Sequence, residues 1–155
     1  MSVSFVGFGA VVVTLRQALG ARLSDLHLHF VRLFIEGRLA VAAFGLLPAA
    51  LSTTNLADSM IWRLSSALSA LSFSTYLLFL FRRRRRVDPG PVPAQAIVNF
   101  LVSAVPALAL WVNAVGIGFQ PNAVLYVLPL NWFLVVGAWV FLQNLDFFLR
   151  PPAPR

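Results

Sequence analysis

The chain has 155 residues, of which 59% are hydrophobic and 11% charged, and its mean hydropathy is +0.83. Soluble domains carry about 45–50% apolar and about 25% charged residues, so the composition argues against a water-soluble domain and for an integral membrane protein. All 12 basic residues are arginine, five acids oppose them (Asp25, Glu36, Asp58, Asp88 and Asp146), the net charge is +7, and cysteine is absent, which excludes disulfides, Cys-ligated zinc, iron–sulfur clusters and thiol redox chemistry.

A hydrocarbon layer of about 30 Å is crossed by about 20 apolar residues in helical form, and five windows approach that length. The first, residues 3–19, is short and interrupted by Arg16. It lacks the basic leader and small-residue cleavage site of a signal peptide, so it reads as a span, with an interfacial segment as the alternative. The second, residues 30–51, is preceded and entered by a polar stripe, Arg22, Asp25, His29, Arg32 and Glu36, at spacings of 3, 4, 3 and 4. Such spacing holds the five on one helix face, where Asp25 can pair with His29 and Arg32 with Glu36. The stripe belongs either to the inner headgroup layer or to an inner aqueous vestibule, because a charge at membrane depth must face protein or water.

The third window, residues 60–81, is expected to stop at five consecutive arginines, Arg82, Arg83, Arg84, Arg85 and Arg86. With the proline-rich VDPGPVPAQ these form a basic loop over residues 82–95, since proline cannot continue a helix. Inside this span Ser65, Ser69, Ser72 and Tyr76 follow one another at spacings of 4, 3 and 4, with Arg63 one turn from its start. Small hydroxylated surfaces let membrane helices pack closely. The alternative reading is a hydroxyl lining for a pathway, formed when copies of this helix surround an axis. Rings of Arg63 at one mouth and of the arginine run at the other would then favour anions.

The fourth and fifth windows, residues 96–119 and 123–145, are separated by the turn GFQPN, and a short tail, 146–155, follows. Asn99, Ser103 and Asn113 share a face of the fourth helix with Pro106, and Asn131 lies a third of the way into the fifth. Buried amides in lipid seek interhelical partners, so these four polar residues are candidate helix–helix contacts. Trp62, Trp111 and Tyr126 are placed near the outer interface, as members of an aromatic belt.

The fold expected is therefore all-α: one membrane domain over residues 1–155, a bundle of five transmembrane helices or four plus one interfacial segment. Arginine retained on the inner side sets the N-terminus outside and the C-terminus in the cytoplasm. The run from Arg82 to Arg86 serves as the topology signal and as an attractor of anionic lipid headgroups at the cytoplasmic face. No fold or stacking aromatics accompany it, so a nucleic-acid partner is not expected. His27 and His29 point to different sides of a helix, and no P-loop, HExxH or nucleophile elbow is present, so neither a metal, a cofactor nor an enzymatic activity is expected. Phrases such as FIEGRLAVAAFGLLPAAL and MIWRLSSALSAL resemble those of small multi-spanning bacterial proteins, a likeness that implies no activity. Arginine without lysine, together with abundant alanine and proline, suits a GC-rich bacterial genome and an inner-membrane location. The function expected is a small homo-oligomeric channel, anion-preferring if it conducts; the alternative is a non-catalytic accessory or scaffold subunit associated with other membrane subunits.

Overall fold

A computed structural model of the protein describes residues 25–87 and 90–149. Within them the chain is entirely helical: α1 (Asp25–Ser52), α2 (Asp58–Val87), α3 (Ala94–Val115) and α4 (Ala123–Leu149). All four are long and apolar enough to cross a membrane, over Ile35–Ser52, Asp58–Arg84, Ala94–Val115 and Ala123–Val140, as in a multi-pass membrane protein. The expected span at residues 3–19 lies outside the described residues, as do Arg22, Asp88 and the tail from Arg150 on.

Helix ends depart from expectation in two informative places. α2 does not stop before the arginine run but continues through it to Val87. Arginine is a strong helix former, so the run extends the helix rather than ending it. α3 ends at Val115, four residues early, at Gly116 in the left-handed conformation (φ 71°), whose N–H reaches the carbonyl of Val112 at 3.0 Å. The glycine cap satisfies an end-of-helix carbonyl and turns the chain out. α4 begins under a side-chain cap, with Asn122 Oδ1 accepting from the Leu125 N–H at 3.0 Å. α1 closes with Ser52, Thr53 and Thr54 donating their hydroxyls to the carbonyls of Ala49, Ala50 and Leu51 at 2.7, 2.8 and 2.5 Å.

The chain divides into two compact units, one from Ala43 to Val136 and the other formed by the residues up to Ala42 with those from Gly137 on. In the Ala43–Val136 unit, α2 and α3 make the principal helix–helix contact and run antiparallel, as the pairs Phe81–Phe100 (centroids 5.7 Å apart), Ser74–Trp111 and Ser66–Asn113 require. α4 runs parallel to α2, with Phe133 stacked on Phe73 at 4.2 Å and Phe44 of α1 against the same ring at 5.4 Å. Ala70, Ala107, Leu110, Ala114 and Leu130 complete the core. The outside is apolar: Leu71 is 56% and Leu108 63% exposed. Lipid solvates such side chains as well as another helix does, so burial alone supplies little reason for these helices to associate and specific packing and hydrogen bonds must supply it.

Gly116 illustrates how local that demand can be. A Cβ there would meet Arg63 Nη2 and Pro121 Cδ at 3.2 Å and the Phe119 carbonyl at 3.3 Å, besides the strain of a positive φ. Gly116→Ala is expected to destabilise the fold by about 1–2 kcal/mol. Gly45→Ala, inside α1 with nothing within 4 Å, should be neutral or stabilising by about 0.5–1 kcal/mol. Thermal unfolding of the two variants in one detergent measures both, and equal melting temperatures would contradict this account.

Candidate functional site

Prolines lie inside α1 (Pro48), α3 (Pro106) and α4 (Pro129). A proline inside a helix has no N–H, so the carbonyl four residues earlier loses its helical donor. In lipid no water replaces it, and the cost falls on the protein unless another group reaches in. For Pro48 the orphaned carbonyl belongs to Phe44, and for Pro106 to Val102. Both are caught by aromatic side chains of α4: Tyr126 donates its hydroxyl to the Phe44 carbonyl at 2.5 Å, and Trp132 donates its indole N–H to the Val102 carbonyl at 3.2 Å.

Tyr126 is 1% exposed and continues the chain of bonds. Its one proton goes to Phe44, so its oxygen accepts from Ser69, whose Oγ is 3.1 Å away and which is itself fully buried. Its ring lies 5.9 Å from Trp62. The expected role of Tyr126 in an aromatic belt is thus replaced by a core role, because its hydroxyl finds better partners inside than at an interface. Trp111 is 37% exposed and donates its indole N–H to Ser74 Oγ at 3.1 Å.

A second cluster centres on Asn113, also fully buried. Its Nδ2 donates to Ser66 Oγ at 2.7 Å and to the Asn122 carbonyl at 3.1 Å, and its Oδ1 accepts from the Asn122 N–H at 3.1 Å. One amide therefore links α2, α3 and the residue that caps α4. Asn122 adds a bond to the Gln120 carbonyl at 3.1 Å, which holds the turn in shape.

The remaining candidates separate. Ser65 and Ser69 are closed inside a single chain, Ser65 with an Oγ that has no hydrogen-bond partner, whereas Ser72 is exposed and Tyr76 half-buried. The four hydroxyls thus do not form one open stripe: the packing of α2 takes the first half of it inside. Ser103 returns its hydroxyl to the Asn99 carbonyl of its own helix at 2.7 Å rather than crossing to another. Asn131 is exposed. Arg63 is exposed beside the Gly116 turn, and Arg82 and Arg86 are exposed while Arg83 and Arg84 are half-buried on the last turns of α2. Glu36 is half-buried on α1, and Arg32 lies one turn before it.

The other unit holds a residue that pattern reading passed over. Arg38, in the first turn of the apolar part of α1, is only 3% exposed, and its guanidinium lies over Gly137 of α4. A Cβ at position 137 would overlap the guanidinium, with Cζ at 2.6 Å, so the absence of a side chain there is what lets the arginine in. Its signal in the sequence was only its depth, because it stands off the face occupied by Arg32 and Glu36. Among the described residues no group of His, Asp or Glu could hold a metal ion. Comparison with known proteins returns no match to any family model, curated protein or solved structure.

Two pairs of substitutions test this geometry. Tyr126→Phe leaves the Phe44 carbonyl without a donor and is expected to cost about 1–3 kcal/mol. In a Pro48→Ala background, where a backbone N–H returns, the same change should cost clearly less, and additive losses in a double-mutant cycle would refute the link between Pro48 and Tyr126. Gly137→Val should lower the melting temperature when Arg38 is present and be tolerated in an Arg38→Ala background; an equal loss in both would separate the glycine from the guanidinium.

Proposed function

We propose that this chain is a non-catalytic, multi-pass helical subunit whose work is assembly within a membrane, the inner membrane of a bacterium on the reading of its arginine usage. The observation that carries this reading is the engagement of its polar groups. The amide and hydroxyls of Ser66, Ser69, Asn113 and Tyr126, which a reaction or a pathway would draw on, are fully or almost fully buried and bonded to one another, to a freed carbonyl or to the capping residue of α4. A scaffold needs rigid helices with defined outer faces, and these bonds supply rigidity where the hydrophobic effect does not. The arginines at the end of α2 fit contact with anionic lipid headgroups, each worth about 1 kcal/mol near a charged surface.

A second reading, the anion-preferring homo-oligomeric channel, is supported by one observation: the buried guanidinium of Arg38 at span depth, since ionisable groups in membrane helices commonly mark ion or substrate paths. Such a pathway would draw on Arg38 rather than on the enclosed Ser65 and Ser69.

Extraction in a mild detergent followed by particle-mass measurement and mass spectrometry distinguishes the two, together with flux assays in liposomes over a range of voltages. The scaffold reading expects a defined assembly, of this chain alone or with stoichiometric foreign subunits, and no flux of chloride or potassium above empty vesicles. Chloride flux abolished by Arg38→Ala would replace it with the channel.

A further inference from the structure

Among the described residues, the exposed surface of α4 contains a side-chain amide that its surroundings do not explain. Asn131 stands halfway along the Ala123–Val140 span, points outward, and its amide makes no hydrogen bond among the described residues. Exposed Ser72 and Thr75 of α2 raise no such difficulty, because a hydroxyl can return its proton to the carbonyl one turn earlier, as Ser103 does. An Asn amide offers two donors and two acceptor lone pairs, more than its own helix absorbs. The fold treats the equivalent group in α3 very differently, enclosing Asn113 completely and giving it three bonds.

The neighbours of Asn131 are arranged for a helix rather than for lipid alone. Val124, Leu128 and Val135, respectively 63%, 60% and 65% exposed, flank it at successive spacings of 4, 3 and 4. This is the 3-4 alternation of a left-handed helix pair, in which a single polar seam residue sets register. Beside the seam, Trp132 already has its N–H engaged on Val102, so Asn131 is the polar group left over.

We propose that a second copy of this chain packs on this face, α4 against α4 in parallel, with the two Asn131 amides bonded to each other across a two-fold axis along the membrane normal. The choice of a second copy follows from membrane topology. Every copy inserts in the same direction, so a two-fold along the normal brings each residue opposite itself at the same depth, and an amide that is both donor and acceptor complements its own image. A foreign helix would need its own polar group at that level by coincidence. This inference rests on the assembly reading above and names the first partner in it.

The chain has no cysteine, so single cysteines report contacts cleanly. In native membrane vesicles oxidised with copper phenanthroline, Leu128→Cys and Val135→Cys are expected to give disulfide-linked dimers. Leu101→Cys and Leu108→Cys, on the equally exposed face of α3, should not. Adding Asn131→Leu should lower the dimerisation constant about 3- to 30-fold, the equivalent of one interhelical hydrogen bond of about 0.6–2 kcal/mol, without changing the melting temperature of the monomer. Absent crosslinks on α4, equal crosslinks on α3, or dimers indifferent to Asn131→Leu each overturn the proposal. A failure here with stoichiometric foreign subunits in the purified particle leaves the scaffold reading intact; chloride flux with α4 crosslinks present removes that reading and keeps the dimer.

Discussion

In hydrocarbon a backbone carbonyl without a donor has no water to turn to, and this constraint organises the Ala43–Val136 unit. Three interior prolines free such carbonyls, and for two of them, at Phe44 and Val102, α4 carries a hydroxyl and an indole N–H six residues apart, at Tyr126 and Trp132, that reach them. A helix defect becomes an address: α4 can satisfy both carbonyls only from one position and one rotation. The prolines that weaken α1 and α3 as separate helices thereby specify how α4 packs against them.

Lipid also changes which interactions decide. The exposed leucines and valines gain nothing by leaving the bilayer, so the helices are selected by close approach and by polar bonds. Ala70, Ala107 and Ala114 permit the close approach, and Asn113 supplies the bonds. Its contacts with Ser66 and Asn122 join α2 and α3 to the turn that starts α4, while the left-handed Gly116 lets that turn begin. Buried polar groups of this kind contribute specificity more than affinity: a rotated helix would leave an amide facing hydrocarbon.

The buried Arg38 belongs to the other unit and follows the same logic in reverse. There the accommodation is made by leaving something out, a side chain at Gly137, rather than by adding a donor. A guanidinium at that depth is expensive in lipid, so its enclosure ties the first apolar turn of α1 to α4 at a defined level. Asn131 is the contrasting case, a polar group on the outside, and that contrast is what turns attention from the interior of the chain to its assembly.

Composition and window length were enough to read helices and a membrane environment, because hydropathy over some twenty residues is a local property that lipid enforces strongly. The positions of α1 to α4 were legible for that reason, and so was the importance of Asn113, whose chemistry is costly anywhere in hydrocarbon. Helix ends at Val87 and Val115 were not, since a run of charge looks like a stop where arginine in fact extends a helix, and the left-handed Gly116 turns the chain before the apolar window closes. The division of the serine stripe, the capture of two carbonyls by Tyr126 and Trp132, and the enclosure of Arg38 were decided by tertiary structure alone. Each depends on which residue of a distant helix arrives opposite it, and spacing along one helix carries no information about the rotation of the next.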